Sequence, residues 1–249
     1  RTDMLWKMGI ALRILFLSLL LLFESCNTNS LESYSAKPLI VLTFDDCRES
    51  IYSLAFQEMK LYGFPGVNYF PVSWLEISGY LTLKNLHEME KAGWESGGHS
   101  ITHPDLTVIQ TDSAHSEIRK NYQFLVNNGL MHNSFALPAG RTNSEIDKVI
   151  LKYFSIIRTS INERYHYPLD IKRLGYYQVE NNDNVNSLLA RISRGVIEGE
   201  SLIILGFHIF TDKDPTYPTT MRISEFKKFL KEISKKKLKV VTLTEAVKL

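Results

Sequence analysis

From Pro38 to the C-terminus, short apolar runs take turns with segments of helical periodicity, and this alternation narrows the folds open to the chain. Eight runs read as strands: Leu39–Phe44, Gly66–Pro71, Trp94–Gly97, Ser134–Leu137, Phe154–Thr159, Tyr176–Val179, Leu202–Phe207 and Lys239–Leu243. Between most of them lie helical patterns at Leu83–Ala92, Ser113–Asn127, Ser144–Tyr153, Val185–Ile197 and Ser224–Ser234. Several open on a Ser, Thr or Asn, whose side-chain oxygen can accept from the free amides of a first helical turn. Strand and helix in turn predict an α/β fold, a parallel sheet with covering helices, either open or closed into a barrel. The 249 residues show no internal repeat and no linker in the middle, so one large domain is expected.

Composition supports a sizeable core, with 44% hydrophobic and 22% charged residues. A net charge of +2 singles out no partner. The one basic run, Lys235, Lys236 and Lys237, sits between a helical pattern and a strand and reads as a solvated helix end, so no nucleic-acid partner is expected.

The first residues have a different character. Lys7 and Arg13 lead into the apolar stretch Ile14 to Phe23, broken only by Ser18 and followed by Glu24, Ser25 and Cys26. This is the order of an export signal, too short in its apolar part to span a bilayer. A cysteine straight after the run, preceded by a small residue, resembles the lipobox of bacterial lipoproteins. That resemblance implies a signal peptide over residues 1–25, lipidation of Cys26, and attachment to the membrane through the lipid. The alternative is an ordinary cleaved signal with an incidental cysteine; both readings place the protein outside the cytoplasm. Residues 26–37 are mostly polar and read as the lipidated cysteine and a tether, leaving 38–249 as the folded domain. Only Cys47 then remains, reading as a small buried thiol, and no internal disulfide can form.

The chemistry concentrates at three strand ends: Asp45 and Asp46 after the first apolar run, His99 and His103 after the third, and His208 after the seventh. Two histidines with a carboxylate from another strand match a ligand set that leaves a zinc position open for water. His-x-x-x-His alone also describes two surface histidines; the Asp pair and His208 in equivalent positions lift it above that. Pro104 disfavours a helical His103, which puts the pair on a loop. Adjacent carboxylates on an extended chain point to opposite sides, so Asp45 and Asp46 are expected to do different work.

In order and wording these motifs resemble the polysaccharide deacetylases with a NodB homology domain, carbohydrate esterase family 4. The matching segments are Thr43-Phe44-Asp45-Asp46, His99-Ser100-Ile101-Thr102-His103-Pro104, Phe135-Ala136-Leu137-Pro138-Ala139-Gly140 and Leu205-Gly206-Phe207-His208. The resemblance implies an irregular (β/α)7 barrel related to the TIM barrel. It also implies a divalent metal, zinc foremost with cobalt or nickel as substitutes, held by Asp46, His99 and His103. Asp45 would be the general base, His208 the general acid, and the Ala139 amide an oxyanion donor. The reaction implied is removal of acetyl groups from an extracytoplasmic polysaccharide.

Three departures from the pattern stand out. Many relatives have Arg where Ala136 stands, orienting the catalytic Asp; Arg158, near the end of the next candidate strand, is the expected replacement. Gly206 occupies a position that often carries an apolar side chain against the acetyl methyl. Cys47 replaces a common Gly. The Phe-Ala-x-Pro-x-Gly variant resembles deacetylases of poly-N-acetylglucosamine. Trp74, Tyr165 and Tyr167 are candidates for stacking on sugars but equally suit packing. The alternatives are an inactive glycan-binding surface lipoprotein and an amidohydrolase acting on small amides.

Overall fold

The computed structural model describes residues 37–131 and 133–248. The expected signal segment, Cys26 and nearly all of the tether lie outside them. Among the described residues no helix is long and apolar enough to cross a membrane.

Seven parallel strands form one sheet in the order β5-β4-β3-β2-β1-β7-β6: β1 Leu39–Asp45, β2 Val67–Phe70, β3 Glu95–Gly98, β4 Ser134–Ala136, β5 Ile156–Arg158, β6 Tyr177–Gln178 and β7 Leu202–Phe207. One stretch of chain joins the two edges. Leu174 pairs with Arg158 on β5, and Tyr177, three residues on, pairs with Leu205 on β7. The sheet is thus curled into the irregular seven-stranded barrel that the resemblance implies.

Side chains alternate across the wall, as strand geometry requires. On β1, Ile40, Leu42 and Phe44 join the large outer core under the helices, while Val41 joins an inner cluster. On β7, Ile203, Leu205 and Phe207 face the outer core and Leu202 and Ile204 the inner one. Tyr69 on β2 lies over its neighbour Gly97 on β3 and donates to Ser134 Oγ on β4 at 2.9 Å, and only glycine fits beneath the ring: a Cβ on Gly97 would lie 2.3 Å from it. By the same parity Asp45 and Arg158 face inward.

The covering helices are α1 Gln57–Lys60, which continues the π-helical turns Ile51–Phe56, α2 Leu83–Lys91, α3 Thr111–Asn127, α4 Ser144–Ile150, α5 Val185–Ile197 and α6 Ile223–Lys235. Thr82, Asn143 and Asn184 cap α2, α4 and α5 with their side chains. Ser113 and Ser224, by contrast, fall inside α3 and α6, which start earlier without a side-chain cap. At the end of α6 the Lys235 ammonium pairs with Glu232 at 2.8 Å, and Lys235, Lys236 and Lys237 are exposed.

The eighth expected strand, Lys239–Leu243, does not form. Val240 makes a single bridge to Ile40, after which Thr242 and Glu245 make a reciprocal capping box that starts α7, Leu243–Ala246. Leu243 and Ala246 plug the inner cluster from below. Two further strands, β8 Ile209–Thr211 and β9 Thr220–Arg222, pair in parallel just after His208.

Candidate active site

β1 delivers the two aspartates to the carboxyl end of the barrel. Asp45, its last residue, is buried at 3% exposure and points inward. The chain then leaves the extended conformation at once: Asp46 has φ 67° and Cys47 φ 42°, in the left-handed region that non-glycine residues adopt at a cost. The two carboxylates are therefore separated by a left-handed turn, where strand alternation alone was expected to part them. Asp46 does not cap the π-helical turns that follow, whose N-cap is Ser50.

His99 and His103 lie on the loop after β3. Ser100 and His103 are also left-handed, with φ 67° and 63°, and the Ser100 Oγ accepts from the His103 amide at 2.9 Å. The buried Asn121 amide donates to the Ser100 carbonyl, fixing the loop on α3. His99 Nδ1 is 2.9 Å from the Ala136 carbonyl oxygen, which makes Nδ1 the proton-bearing nitrogen and turns the Nε2 lone pair toward Asp46. The His103 ring stacks on Trp74 with centroids 5.2 Å apart, and Trp74 in turn packs on Tyr80.

Asp46 Oδ1 lies 3.7 Å from His99 Nε2 and 3.4 Å from His103 Nε2, and it has no hydrogen-bond partner although it is buried. The three ligand atoms all lie within 4.8 Å of one another. Donors about 2 Å from a shared tetrahedral ion stand roughly 3.3 Å apart, so this set fits a divalent metal. Burial alone would raise the Asp46 carboxyl, but attraction to His99, His208 and His103 outweighs it and holds the pKa at about 2. Burial, seconded by the neighbouring His99, pushes the His103 imidazole down from its usual value. An ionised carboxylate and a neutral imidazole are the forms that bind a cation.

Asp45 has a different neighbour. Its Oδ2 accepts from Arg158 Nη2 in a buried ion pair and lies 3.8 Å from His208 Nε2. Its Oδ1 is buried without a hydrogen-bond partner, and so is His208 Nδ1. Arg158 arrives from β5, where it is in register with Ala136 on β4. Its guanidinium is sandwiched between Tyr69 and Tyr176, 4.9 and 4.4 Å from their ring centroids.

Ala139 sits at the rim in a short turn, Pro138–Gly140, with φ 55°. Together with Leu137, Gly140, Ser160, Tyr176 and Gln178, all of these charged groups line one cavity of about 260 Å³. The seven domain residues given a catalytic, metal-binding, oxyanion or orienting role from the sequence, Asp45, Asp46, His99, His103, Ala139, Arg158 and His208, all line it. A second cavity of about 490 Å³, lined by residues including Asn162, Tyr177, Asn182 and Ser187, shares Ser160, Tyr176 and Gln178 with the first.

Sequence reasoning did not find Tyr69, Tyr176 or Gln178; a strand tyrosine carries no local mark of an inward, ring-on-guanidinium position. Neither Tyr165 nor Tyr167 lines these two cavities, and Tyr167 is exposed. Tyr165 is buried and accepts from the Gly175 amide, and Tyr167 donates to the Ala246 carbonyl at 2.7 Å. Cys47 is buried outside the ligand cluster, and burial drives its thiol pKa upward, which leaves it inert.

Residues 33–153 match the family model described as polysaccharide deacetylase. No curated protein is a significant sequence match. Among solved structures, the Streptococcus pyogenes deacetylase PplD in complex with acetate is similar over 69% of this chain and 76% of its own, with 23% identity and a TM-score of 0.58. The carbohydrate esterase family 4 domain of a multidomain xylanase from the hindgut metagenome of Trinervitermes trinervoides is similar over 85% and 90%, with 18% identity and a TM-score of 0.61. A pseudoenzyme of the same esterase family from Bacillus anthracis is similar over 86% of this chain and 66% of its own, at 16% identity and a TM-score of 0.61. At these identities the structures attest a shared fold.

Proposed function

This chain carries a domain of the polysaccharide deacetylase family, and from the geometry of its cavity we propose that it is an active, metal-dependent hydrolase removing N-acetyl groups from an extracytoplasmic polysaccharide. The observation that carries the reading is the state of Asp45: one carboxylate oxygen is anchored to Arg158, while the other is buried without a partner in the cavity wall. A buried, unpartnered carboxylate oxygen is costly to maintain and suits a group that receives a proton.

Asp46, His99 and His103 would hold the ion, with zinc favoured by a donor set of two nitrogens and one oxygen. Such an ion supplies Lewis acidity, which polarises a carbonyl and acidifies water. Asp45 Oδ1 takes the proton of the attacking water as its oxygen bonds to the amide carbon. The Ala139 amide stands at the cavity rim as a donor to the developing oxyanion. His208 Nε2, 3.8 Å from Asp45, delivers a proton to the departing nitrogen as the C–N bond breaks, giving acetate and a free amine.

The polar cavity adjoining the site favours an extended glycan over a small amide, because it offers room and hydrogen-bonding groups beyond the reacting unit. The complete set of base, acid and ligand residues favours catalysis over glycan binding by an inherited cleft. Signal residues 1–25 and a lipid on Cys26 would place the domain on the outer side of a membrane. Incorporation of labelled palmitate that is lost in Cys26→Ser tests this part.

The deciding experiment is acetate release after chelation and after return of zinc, cobalt or nickel, with poly-N-acetylglucosamine, chitin oligomers, peptidoglycan and acetylxylan offered in parallel. Metal-dependent release that is absent in Asp45→Asn supports the proposal, and the productive polymer names the substrate. A stoichiometrically bound metal with no release from any glycan refutes it in favour of binding or small-amide hydrolysis.

A further inference from the structure

We propose that the ring of Tyr176 sets the size of the acyl group the cavity accepts, standing in for the side chain that Gly206 lacks. The inference rests on the deacylation reading above. Gly206 lies on β7 two residues before His208 and shares the inward face of Leu202 and Ile204. A Cβ there would fall 2.1 Å from Tyr176 Cδ2 and 2.3 Å from Cε2, so the ring already fills the space beside the β7 backbone. Glycine at 206 and tyrosine at 176 are a matched pair: either one enlarged or reduced alone leaves a clash or a gap.

The ring also lines the catalytic cavity, where most other walls are carboxylates, imidazoles, a guanidinium and backbone. An alkyl tail on the reacting carbonyl has to leave those groups to their polar partners and settle on apolar surface, and Tyr176 brings the one phenol ring of the lining. It is not a soft wall. Tyr176 is 6% exposed, its face is pressed on the Arg158 guanidinium, and its hydroxyl is 3.3 Å from Gln178 Oε1. A ring held on three sides cannot retreat for an extra methylene, and one methylene in a rigid apolar pocket is worth roughly 10- to 200-fold in discrimination.

The test compares kcat/KM of the full chain, zinc-loaded, on glucosamine oligomers that are either N-acetylated or N-propionylated. The wild type is expected to favour acetyl by about tenfold or more. Tyr176→Phe keeps that ratio. Tyr176→Leu reduces it about tenfold, and adding Gly206→Val to Tyr176→Leu refills the wall from β7 and restores it. The ratio separates size selection from general damage, because loss of packing on Arg158 slows both substrates alike. Equal slowing with an unchanged ratio in Tyr176→Leu overturns the proposal. A wild type that releases neither acyl group overturns the deacylation reading instead, and titration of acetate against butyrate then judges Tyr176. A gain for butyrate in Tyr176→Leu supports the wall, and unchanged relative affinity removes it.

Discussion

Arg158 and Asp45 are 113 residues apart in the chain and form a buried ion pair inside the barrel, the guanidinium clasped between Tyr69 and Tyr176. The register of the sheet explains how this works. Arg158 is the direct partner of Ala136 across the β4–β5 ladder, and Ala136 is the position at which the resemblance expects an arginine. Moving the guanidinium one strand along the barrel wall keeps its charge within reach of the same carboxylate, and a small residue at 136 leaves it the room.

Arg158→Ala strands a carboxylate in a buried site, so the protein is expected to lose about 3–5 kcal/mol of stability. Turnover should fall by about a hundredfold with metal content unchanged, since a base misplaced by an ångström costs that much. Arg158→Lys keeps the charge but not the planar face that two rings grip, and should recover only part of either loss. Urea denaturation, metal analysis and turnover on one preparation check all three. Unchanged turnover in Arg158→Ala would show that Asp45 needs no orienting partner.

Asp45 and Asp46 should separate cleanly by substitution. Asp45→Asn is expected to bind zinc stoichiometrically yet lose about 10²- to 10⁴-fold in turnover. Asp46→Asn, which leaves two imidazoles alone, should lose the metal itself. Elemental analysis after dialysis distinguishes them, and parallel loss of metal in both would refute the division of labour.

Trp74 stacks on the ring of His103, one of the three metal-binding residues. Trp74→Ala frees that ring to leave the geometry set by the left-handed loop. Zinc affinity is expected to weaken about 10- to 100-fold, as for other groups that orient a ligand from outside. Competition with a chromophoric chelator measures it. An unaltered constant would mean that the loop backbone alone holds His103.

Glu95 provides a pH dependence remote from the site. It is buried at the start of β3, where burial raises its pKa although Thr244 donates to it through Oγ1 at 2.6 Å and through its amide at 3.1 Å. A carboxyl whose folded pKa lies above its unfolded one, about 4.3, contributes stability that is present below 4.3 and lost as pH rises through the folded value. Glu95→Gln should therefore flatten the decline in urea midpoint above pH 4.3 while leaving turnover unchanged. A wild-type decline that persists in Glu95→Gln belongs to another group.

Several elements were legible because their signals are local. β1 and β7 are near-continuous apolar runs, and α5 has both its periodicity and its Asn184 cap in a single stretch of sequence. The π-helical turns Ile51–Phe56 and the three-residue strands β8 and β9 were not found, since neither carries a distinctive periodicity at that length. Lys239–Leu243 read as a strand because Val240, Val241 and Leu243 suit one. The chain caps α7 there instead; Val241 and Leu243 join the inner cluster, while Val240 joins the outer core.

Local spacing and residue type alone specify the alternation of strand and helix and the chemical kinds of side chain at the strand ends. The folded barrel set the pairings. It turned Asp46 toward the two histidines through a left-handed residue, set Arg158 against Asp45, and filled the space beside Gly206 with Tyr176. Each of these depends on sheet register, curvature and the inward or outward parity of residues far apart in the chain, quantities that exist only once the barrel has closed.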